Sequence, residues 1–332
     1  MKKNKAKKIA TWIIVPLMIG IFVLDIATIV LSNKYARKYY PSSETFTYEF
    51  GDDRIHFLNT ANSDSIIIES NGKYAIIDAG EGDNNPRRKT DYKGYEEEVI
   101  EYIKKTCINA DGNVYIDFIL GTHFHYDHIG SYHSIITDNS IAIGKAYFKE
   151  FNYDIPKKYE TEKWKIDEIY NEIINDLENR NIEVIHNFPD KMTFGDFTLQ
   201  FFNTITPSEL NGEGENASSV GIKVIKGNKS AFLAADITKS CGLEDLLGDK
   251  IGDIDLLKIG HHGYYGSSST EFLDNLKPEI AVVTNQLGKI YPNVKWNLIM
   301  HSKLPIYATY DNNGIIASFT DNDEIILTNN IH

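Results

Sequence analysis

Cysteine is nearly missing from this chain: Cys107 and Cys241 are the only two in 332 residues, and they stand far apart. That excludes a cysteine metal knuckle and a secreted disulfide framework, and the spacing assigns no pairing between the two. Internal repeats and low-complexity tracts are absent, which excludes a repeat architecture. Positive charge is scarce after the first 38 residues. These carry a net charge of +7 while the whole chain carries −13, so the remainder carries −20. A domain that drew its affinity from neutralising phosphates would show the opposite balance, so nucleic acid is disfavoured as a general partner. A local basic or metal-lined cleft could still take a short phosphorylated ligand.

Long hydrophobic runs are also scarce, with one exception. Residues 1–8 are basic, through Lys2, Lys3, Lys5, Lys7 and Lys8, and residues 9–31 form an apolar run interrupted by Pro16 and Asp25. As a helix this run is long enough to cross a ~30 Å hydrocarbon layer. No small-x-small cleavage site follows it, so it reads as a retained signal anchor rather than a cleaved signal peptide. The five leading lysines outnumber Lys34, Arg37 and Lys38, which favours an inside amino terminus and an exported carboxy-terminal part. The expected organisation is a basic start (1–8), a single membrane helix (9–31), a spacer (32–44) and one domain (45–332). The expected location is the cell membrane, with the domain outside the cytoplasm.

Beyond the spacer, short apolar runs alternate with turn residues. RIHFL (54–58), SIIIES (65–70) and KYAIIDAG (73–80) read as strands, and YEEEVIEYIKKT (95–106) has the 3.6-residue period of an amphipathic helix. YIDFILGTH (115–123) reads as one buried strand, and KIDEIYNEIINDLENR as a helix. Strands are expected again at 182–187, 197–204, 218–225, 230–236, 255–260 and 279–285, with a helix at 269–277. Two successive sets of strands, with helices between and after them, suggest two sheets with helices outside.

The chemistry concentrates in GTHFHYDHIG (121–130). His123 and His125 fall two apart at a predicted strand end, where alternation sends both side chains to one side, and two imidazoles so placed can grip one ion. Asp127 and His128 follow as a second pair. Two other predicted strands also end in ligand-type residues: FLAAD in Asp236, and DLLKIGHH in His261 and His262. A two-metal site needs a bridging carboxylate, and Asp236 is a candidate. Alone, Asp236 would read as the N-cap of a helix over ITKSCGLEDLL. The three clusters together make a purely structural role improbable and point to metal binding.

These motifs resemble the metallo-β-lactamase superfamily. The segments FLNTANSDSIII, YAIIDAG, ENASSVGIKV, AFLAAD, LLKIGHHGYYGSSSTEFLDNLKPEIAVVTN and IYATYDNNGIIASFT resemble, in order, the hydrolase domain of ComEC-type DNA-uptake proteins over residues 52–322. NGKYAIIDAGE, DFILGTHFHYDHIG and DLLKIGHH are also similar to the catalytic domain of bacterial surface phosphorylcholine esterases. The resemblance implies a four-layered αββα sandwich with two divalent metal ions, zinc above manganese, and a metal-bridging hydroxide as nucleophile. It implies that His123 and His125 bind the first metal and Asp127 and His128 the second. Asp236 would bridge them, one of His261 and His262, with His262 favoured, would complete the second site, and Asp127 would also orient the nucleophile. Asp78 in IIDAG would support the site from below.

The match has gaps. A histidine that many relatives place before the bridging aspartate is missing, and GEGENASSV offers Glu213, Glu215 or Asn216 in its place. NTANSD keeps only Asp64 of the family's usual run, and KIYP (289–292) lacks the expected histidine. Ser267, Ser268 and Ser269 are candidates for hydrogen bonds to a substrate oxygen, and Tyr264 and Tyr265 for a pocket wall. The expected substrate is a phosphoester or phosphodiester, small or of the cell envelope. A ComEC-like DNA nuclease and a non-catalytic metal-binding surface or sensor protein are the alternatives.

Overall fold

Two mixed β-sheets face each other, with helices covering both outer faces. The computed structural model describes residues 2–39, 53–86, 93–302, 304–329 and 331. The last part of the expected spacer (40–44) and the first residues of the expected domain (45–52) lie outside the described residues. The first sheet is built from β1 (Arg54–Phe57), β2 (Ser65–Ser70) and β3 (Lys73–Ala79), then skips a short strand, β4 (Tyr115–Ile116). It continues with β5 (Phe118–Leu120). Strand β6 (Ala142–Ile143) pairs with β4 in a separate ribbon. The first sheet resumes with β7 (Lys145–Tyr147) and β8 (Glu183–Ile185). The second sheet uses β9 (Lys191–Phe194), β10 (Phe197–Phe202), β11 (Gly221–Lys226), β12 (Lys229–Leu233), β13 (Leu256–Lys258), β14 (Ile280–Val283) and β15 (Ile306–Ala308). Strands β16 (Ile315–Phe319) and β17 (Ile325–Asn329) return to the first sheet, giving the orders β17-β16-β1-β2-β3-β5-β7-β8 and β15-β14-β13-β12-β11-β10-β9.

Period-2 alternation builds the layers. In β2, Ile66 and Ile68 face the second sheet, where they join Phe57, Leu199, Ile222 and Val224, while Ile67 faces outward. The outer face of the first sheet packs Ile67, Ile76 and Ile119 against helices. These are α2 (Glu96–Thr106), the short α3 (Tyr126–Ile129), α4 (Tyr132–Thr137), α5 (Lys158–Glu162) and α6 (Ile166–Asn179). Ile135, Ile136, Ile169 and Ile173 supply much of that contact. The outer face of the second sheet packs Phe232, Leu257 and Val283 against α7 (Leu243–Ile251), α8 (Thr270–Leu276) and α9 (Pro292–Ser302). A short α10 (Thr309–Asn312) follows β15. Strands buried on both faces need continuous apolar runs, and SIIIES and EIAVV supply them. The αββα sandwich is thus the expected one.

The long helix α1 (Lys2–Tyr39) contains the expected 9–31 run. Over Trp12–Tyr35 its mean hydropathy is 2.6 and its apolar side chains are exposed, so by length and composition it can cross a membrane.

Three local expectations are corrected. Residues 115–123 are not one strand: β4 and β5 join different sheets, because Asp117 turns its carboxylate to the Tyr74 N–H (2.9 Å) and its own N–H to the Tyr74 carbonyl (2.8 Å). Strand β5 stops at Leu120, because Asp78 captures the Thr122 N–H at 2.8 Å and turns the chain, so His123 and His125 lie on a loop rather than at a strand end. The helix expected directly after Asp236 starts only at Leu243, so Asp236 is not its N-cap. Strand β9 and helix α9 were not anticipated, since neither shows strong periodicity.

Candidate metal centre

The centre lies where neighbouring parallel strands of the two sheets end. The chain leaving β5 carries His123, His125, Asp127 and His128; the one leaving β12 carries Asp236; the one leaving β13 carries His261 and His262. Such carboxyl ends of parallel strands are where open α/β sheets place their ligands. The turn after β13 is tight. His261 and His262 both take left-handed conformations, at φ 49° each, as does Ala235 at φ 43°. Left-handed non-glycine backbone costs roughly 1–2 kcal/mol per residue. Gly260 permits the turn, because a Cβ there would collide with the Ile237 carbonyl.

Three groups of ligand-type residues result, each with its ligand atoms within 4.8 Å of one another. His123, His125 and Asp236 form the first, Asp127, His128 and His262 the second, and Asp64 with His128 and Asp236 a third that overlaps both. His123 Nε2 stands 3.2 Å from His125 Nδ1 and 3.7 Å from Asp236 Oδ2. His128 Nε2 stands 3.2 Å from His262 Nε2 and 3.1 Å from Asp236 Oδ1, and Asp127 Oδ2 lies 3.6 Å from His262 Nε2. Asp236 thus reaches the first two groups with its two oxygens.

The far nitrogen of each imidazole is tied, which fixes the tautomer. His128 Nδ1 donates to Asp78 at 2.7 Å, and Asp78 also accepts the Thr122 hydroxyl at 2.7 Å. The Thr122 oxygen in turn accepts from His123 Nδ1 at 3.2 Å. His262 Nδ1 faces Thr284 Oγ1 at 3.1 Å and Asp64 Oδ1 at 3.3 Å. His125 Nε2 donates to Glu160 at 3.2 Å. Every remaining nitrogen therefore turns a lone pair toward the centre, as metal-ligating histidines do.

The donor set fits divalent cations. Two ligand nitrogens on a tetrahedral ion at 2.0–2.1 Å stand about 3.3–3.4 Å apart, close to the spacings seen here. Asp236 Oδ1 is buried and makes no hydrogen bond, although imidazole nitrogens surround it, which a cation between them explains. Nitrogen and carboxylate donors without cysteine suit a first-row divalent ion.

Burial opposes the charged forms of His125 and His128, but Glu160 in the first case, and Asp236 and Asp78 in the second, outweigh it and raise both. Burial opposes the ionisation of Asp236, but His128, His261 and His262 outweigh it and hold the carboxyl well below the usual range. Burial, with the neighbouring His128, holds His123 well below the ordinary histidine value, keeping it neutral as a ligand must be. Beneath the centre, burial likewise opposes the charge on Asp64, yet the fully buried Lys258 ammonium, then His262 and His128, hold it well below the carboxylate range. Lys258 pairs with Asp64 and donates to the Ala235 carbonyl at 3.0 Å.

A cavity of about 480 Å³ opens above the centre. His125, Asp127, Asp236 and His261 form its floor, and Tyr159, Trp164, Tyr264, Tyr265 and Tyr291 its walls. His262 is fully buried in the second ligand group. His261 instead faces the cavity, with Nε2 3.8 Å from Asp236 Oδ2. Asn216 and Glu213 line the cavity, and Asn216 Oδ1 is buried without a hydrogen bond. Glu215 turns away, accepting from the Phe124 N–H at 3.2 Å and from Ser218. Ser267 and Ser268 do not line this cavity. Ser267 Oγ donates to the Tyr264 carbonyl at 2.9 Å, and the Ser268 N–H goes to Glu244 at 2.5 Å, so they shape the entry to α8.

Sequence reading missed Glu160, which lies on α5 in a charged stretch without a motif. Its Oε2 accepts the Lys157 N–H at 2.6 Å and the Glu215 N–H at 3.1 Å, while Oε1 holds His125. Burial raises its pKa, but His125 outweighs this and the net shift is downward. The Glu160→Gln variant should bind its first metal about 10–100-fold more weakly, as loss of such outer partners does. Chelator competition reads this, and a wild-type affinity would count against the role.

The αββα layering, the H-x-H-x-D-H loop and the strand-end Asp236 and His262 together define the metallo-β-lactamase fold. Within that class, the chain is similar to competence protein ComA of Neisseria gonorrhoeae, 32% identical over 92 residues, covering 27% of this chain and 13% of that one. It is also similar to ComE operon protein 3 of Bacillus subtilis (strain 168), 29% identical over 118 residues, covering 35% and 15% respectively. The chain therefore spans only a small part of these curated relatives. No family model matches. Among solved structures, the metallo-β-lactamase fold protein YhfI from Bacillus subtilis aligns at a TM-score of 0.45 with 11% identity, covering 77% of this chain and 95% of that one.

Proposed function

We propose that this chain is a membrane-anchored, exported metal-dependent phosphodiesterase carrying two zinc ions. The observation that supports it most is the convergence of four imidazoles with Asp127 and Asp236 at the floor of an open cavity. Zinc suits the nitrogen and carboxylate donors, with manganese next. His123, His125 and Asp236 would hold one ion, and Asp127, His128, His262 and Asp236 the other. When bound, such ions supply Lewis acidity and lower the pKa of a water toward ~7. Asp127 sits at the cavity floor, where its carboxylate can accept a hydrogen bond from the attacking water and aim it. His261 faces the same space and can hydrogen-bond a phosphoryl oxygen. The aromatic walls exclude bulk water from around the phosphate. Helix α1 supports membrane anchoring, and the lysine excess before it supports an outside domain.

Similarity to competence proteins favours a second reading, a DNA nuclease. The −20 charge beyond residue 38 argues against it, as do Glu160 and Glu213 in the cavity lining. The zinc-loaded full chain should hydrolyse bis-p-nitrophenyl phosphate well above its rate on a single-stranded oligonucleotide. A chain that binds zinc but cleaves neither is a binding or sensor protein, and the enzyme reading then fails.

A further inference from the structure

The foot of α1 packs against the helix that carries the rim of the metal site. Ser32 is fully buried there, Asn33 accepts from the buried Lys295 ammonium, and the rings of Tyr35 and Trp296 stand 5.8 Å apart. Lys295 and Trp296 belong to α9, which begins directly after Tyr291. The Tyr291 ring lies 6.1 Å from those of Tyr264 and Tyr265 at the cavity wall. At 1.5 Å per residue, Tyr291 is only about 8 Å along the helix from Trp296. The polar layer of a bilayer is roughly 5–8 Å deep on each side, so the rim stands within reach of head groups.

Two further observations point the same way. The accessible side chains described on α9, namely Pro292, Asn293, Trp296, Asn297 and Met300, are all uncharged in a domain of strong negative charge, and Met300 is 70% exposed. An uncharged face with a tryptophan suits the membrane interface, whereas acidic surface is repelled by anionic lipid. A second cavity, of about 270 Å³, shares Ser240 and Tyr265 with the site and runs along Asn293 and Asn297 of α9. It forms a groove from the helix face toward the metal centre.

We infer that the α9 face rests on the bilayer and that the substrate is a phospholipid of that bilayer, whose head-group phosphodiester enters over Tyr265 and Tyr291. This rests on the phosphodiesterase reading and narrows its substrate. A water oxygen forms the new bond to phosphorus, the opposite P–O ester bond breaks, and the departing alkoxide takes the proton the water gave up. No oxidant, reductant or other co-reactant is needed.

The test uses the zinc-loaded full chain in vesicles of phosphatidylethanolamine and phosphatidylglycerol. Mass spectrometry follows the released head groups or their phosphates, with bis-p-nitrophenyl phosphate in parallel. Wild type should cleave both, whereas Met300→Glu and Trp296→Glu should lose about 10-fold on lipid and keep the soluble rate, because they place charge at the interface. With Trp296 as the sole tryptophan, brominated lipid should quench its emission. Cleavage of the soluble diester without any lipid overturns the inference and leaves the phosphodiesterase reading standing. Unaltered lipid turnover in both variants, equal losses on both substrates, or unquenched Trp296 also overturns it. Failure on the soluble diester itself sinks both readings.

Discussion

The Asp236→Asn variant should lose phosphodiester turnover by about 10³-fold or more, and elemental analysis should find less than the wild-type metal content. The two Asp236 oxygens reach both the first and the second ligand group, at 3.7 Å from His123 and 3.1 Å from His128. Neutralising it removes a charge that both cations need, and several kcal/mol of transition-state stabilisation correspond to this loss at tenfold per ~1.4 kcal/mol. The fold should survive without metal, since the amide keeps the size of the carboxylate. The clearest signature is therefore thermal: wild type should gain about 2.7 kcal/mol at 100-fold metal excess over its dissociation constant. The variant should gain much less. An equal metal-induced gain in both proteins would show that Asp236 is not a ligand.

Lys258→Met should destabilise the chain by about 3–5 kcal/mol, the cost of breaking a buried ion pair from one side. Lys258 is fully buried, and its removal leaves Asp64 ionised in the interior without an ammonium partner, facing Thr284 Oγ1 (2.5 Å), His262 Nδ1 (3.3 Å) and His128 Nδ1 (3.8 Å). The pH dependence carries a sign. The folded pKa of Asp64 lies below its unfolded value of 3.8, so Asp64 contributes stability that is present above that value and fades as pH falls through the folded pKa. Without Lys258 the shift shrinks, so the variant should lose more stability at neutral pH than at acid pH relative to wild type. Denaturant unfolding at both pH values measures this. The double variant Lys258→Met/Asp64→Leu should recover part of the loss, because no unpaired charge remains. A Lys258→Met protein as stable as wild type at neutral pH would refute the role of the pair.

The candidate ligands were legible because their chemistry has few other uses. Three histidines and an aspartate within six residues make poor core and good ligands, and Asp236 and His262 could be found because apolar strands ended in them. The layered fold was legible for a similar reason: runs such as SIIIES and EIAVV suit only a strand covered on both faces. The outer partners were harder to see. Glu160 looked like one more glutamate in a charged stretch, and Lys258 like an ordinary lysine at a strand end. Both reach the site through contacts with residues 35 and 194 positions away. A polar loop beside a histidine pair suggests substrate contact, and only the structure shows that Glu244 captures the backbone of Ser268 and Ser269.

The sequence by itself determined the layered fold class, the apolar amino-terminal helix and the set of candidate ligands, because periodicity and side-chain chemistry are local properties. Only the tertiary structure decided that His262 rather than His261 joins the second ligand group, because two consecutive left-handed residues aim their rings in different directions. It alone tied His125 to Glu160, His128 to Asp78 and Asp64 to Lys258, and set the foot of the apolar helix against α9. Each of these is a pairing across the chain, fixed by which strands end side by side and not by spacing along the sequence.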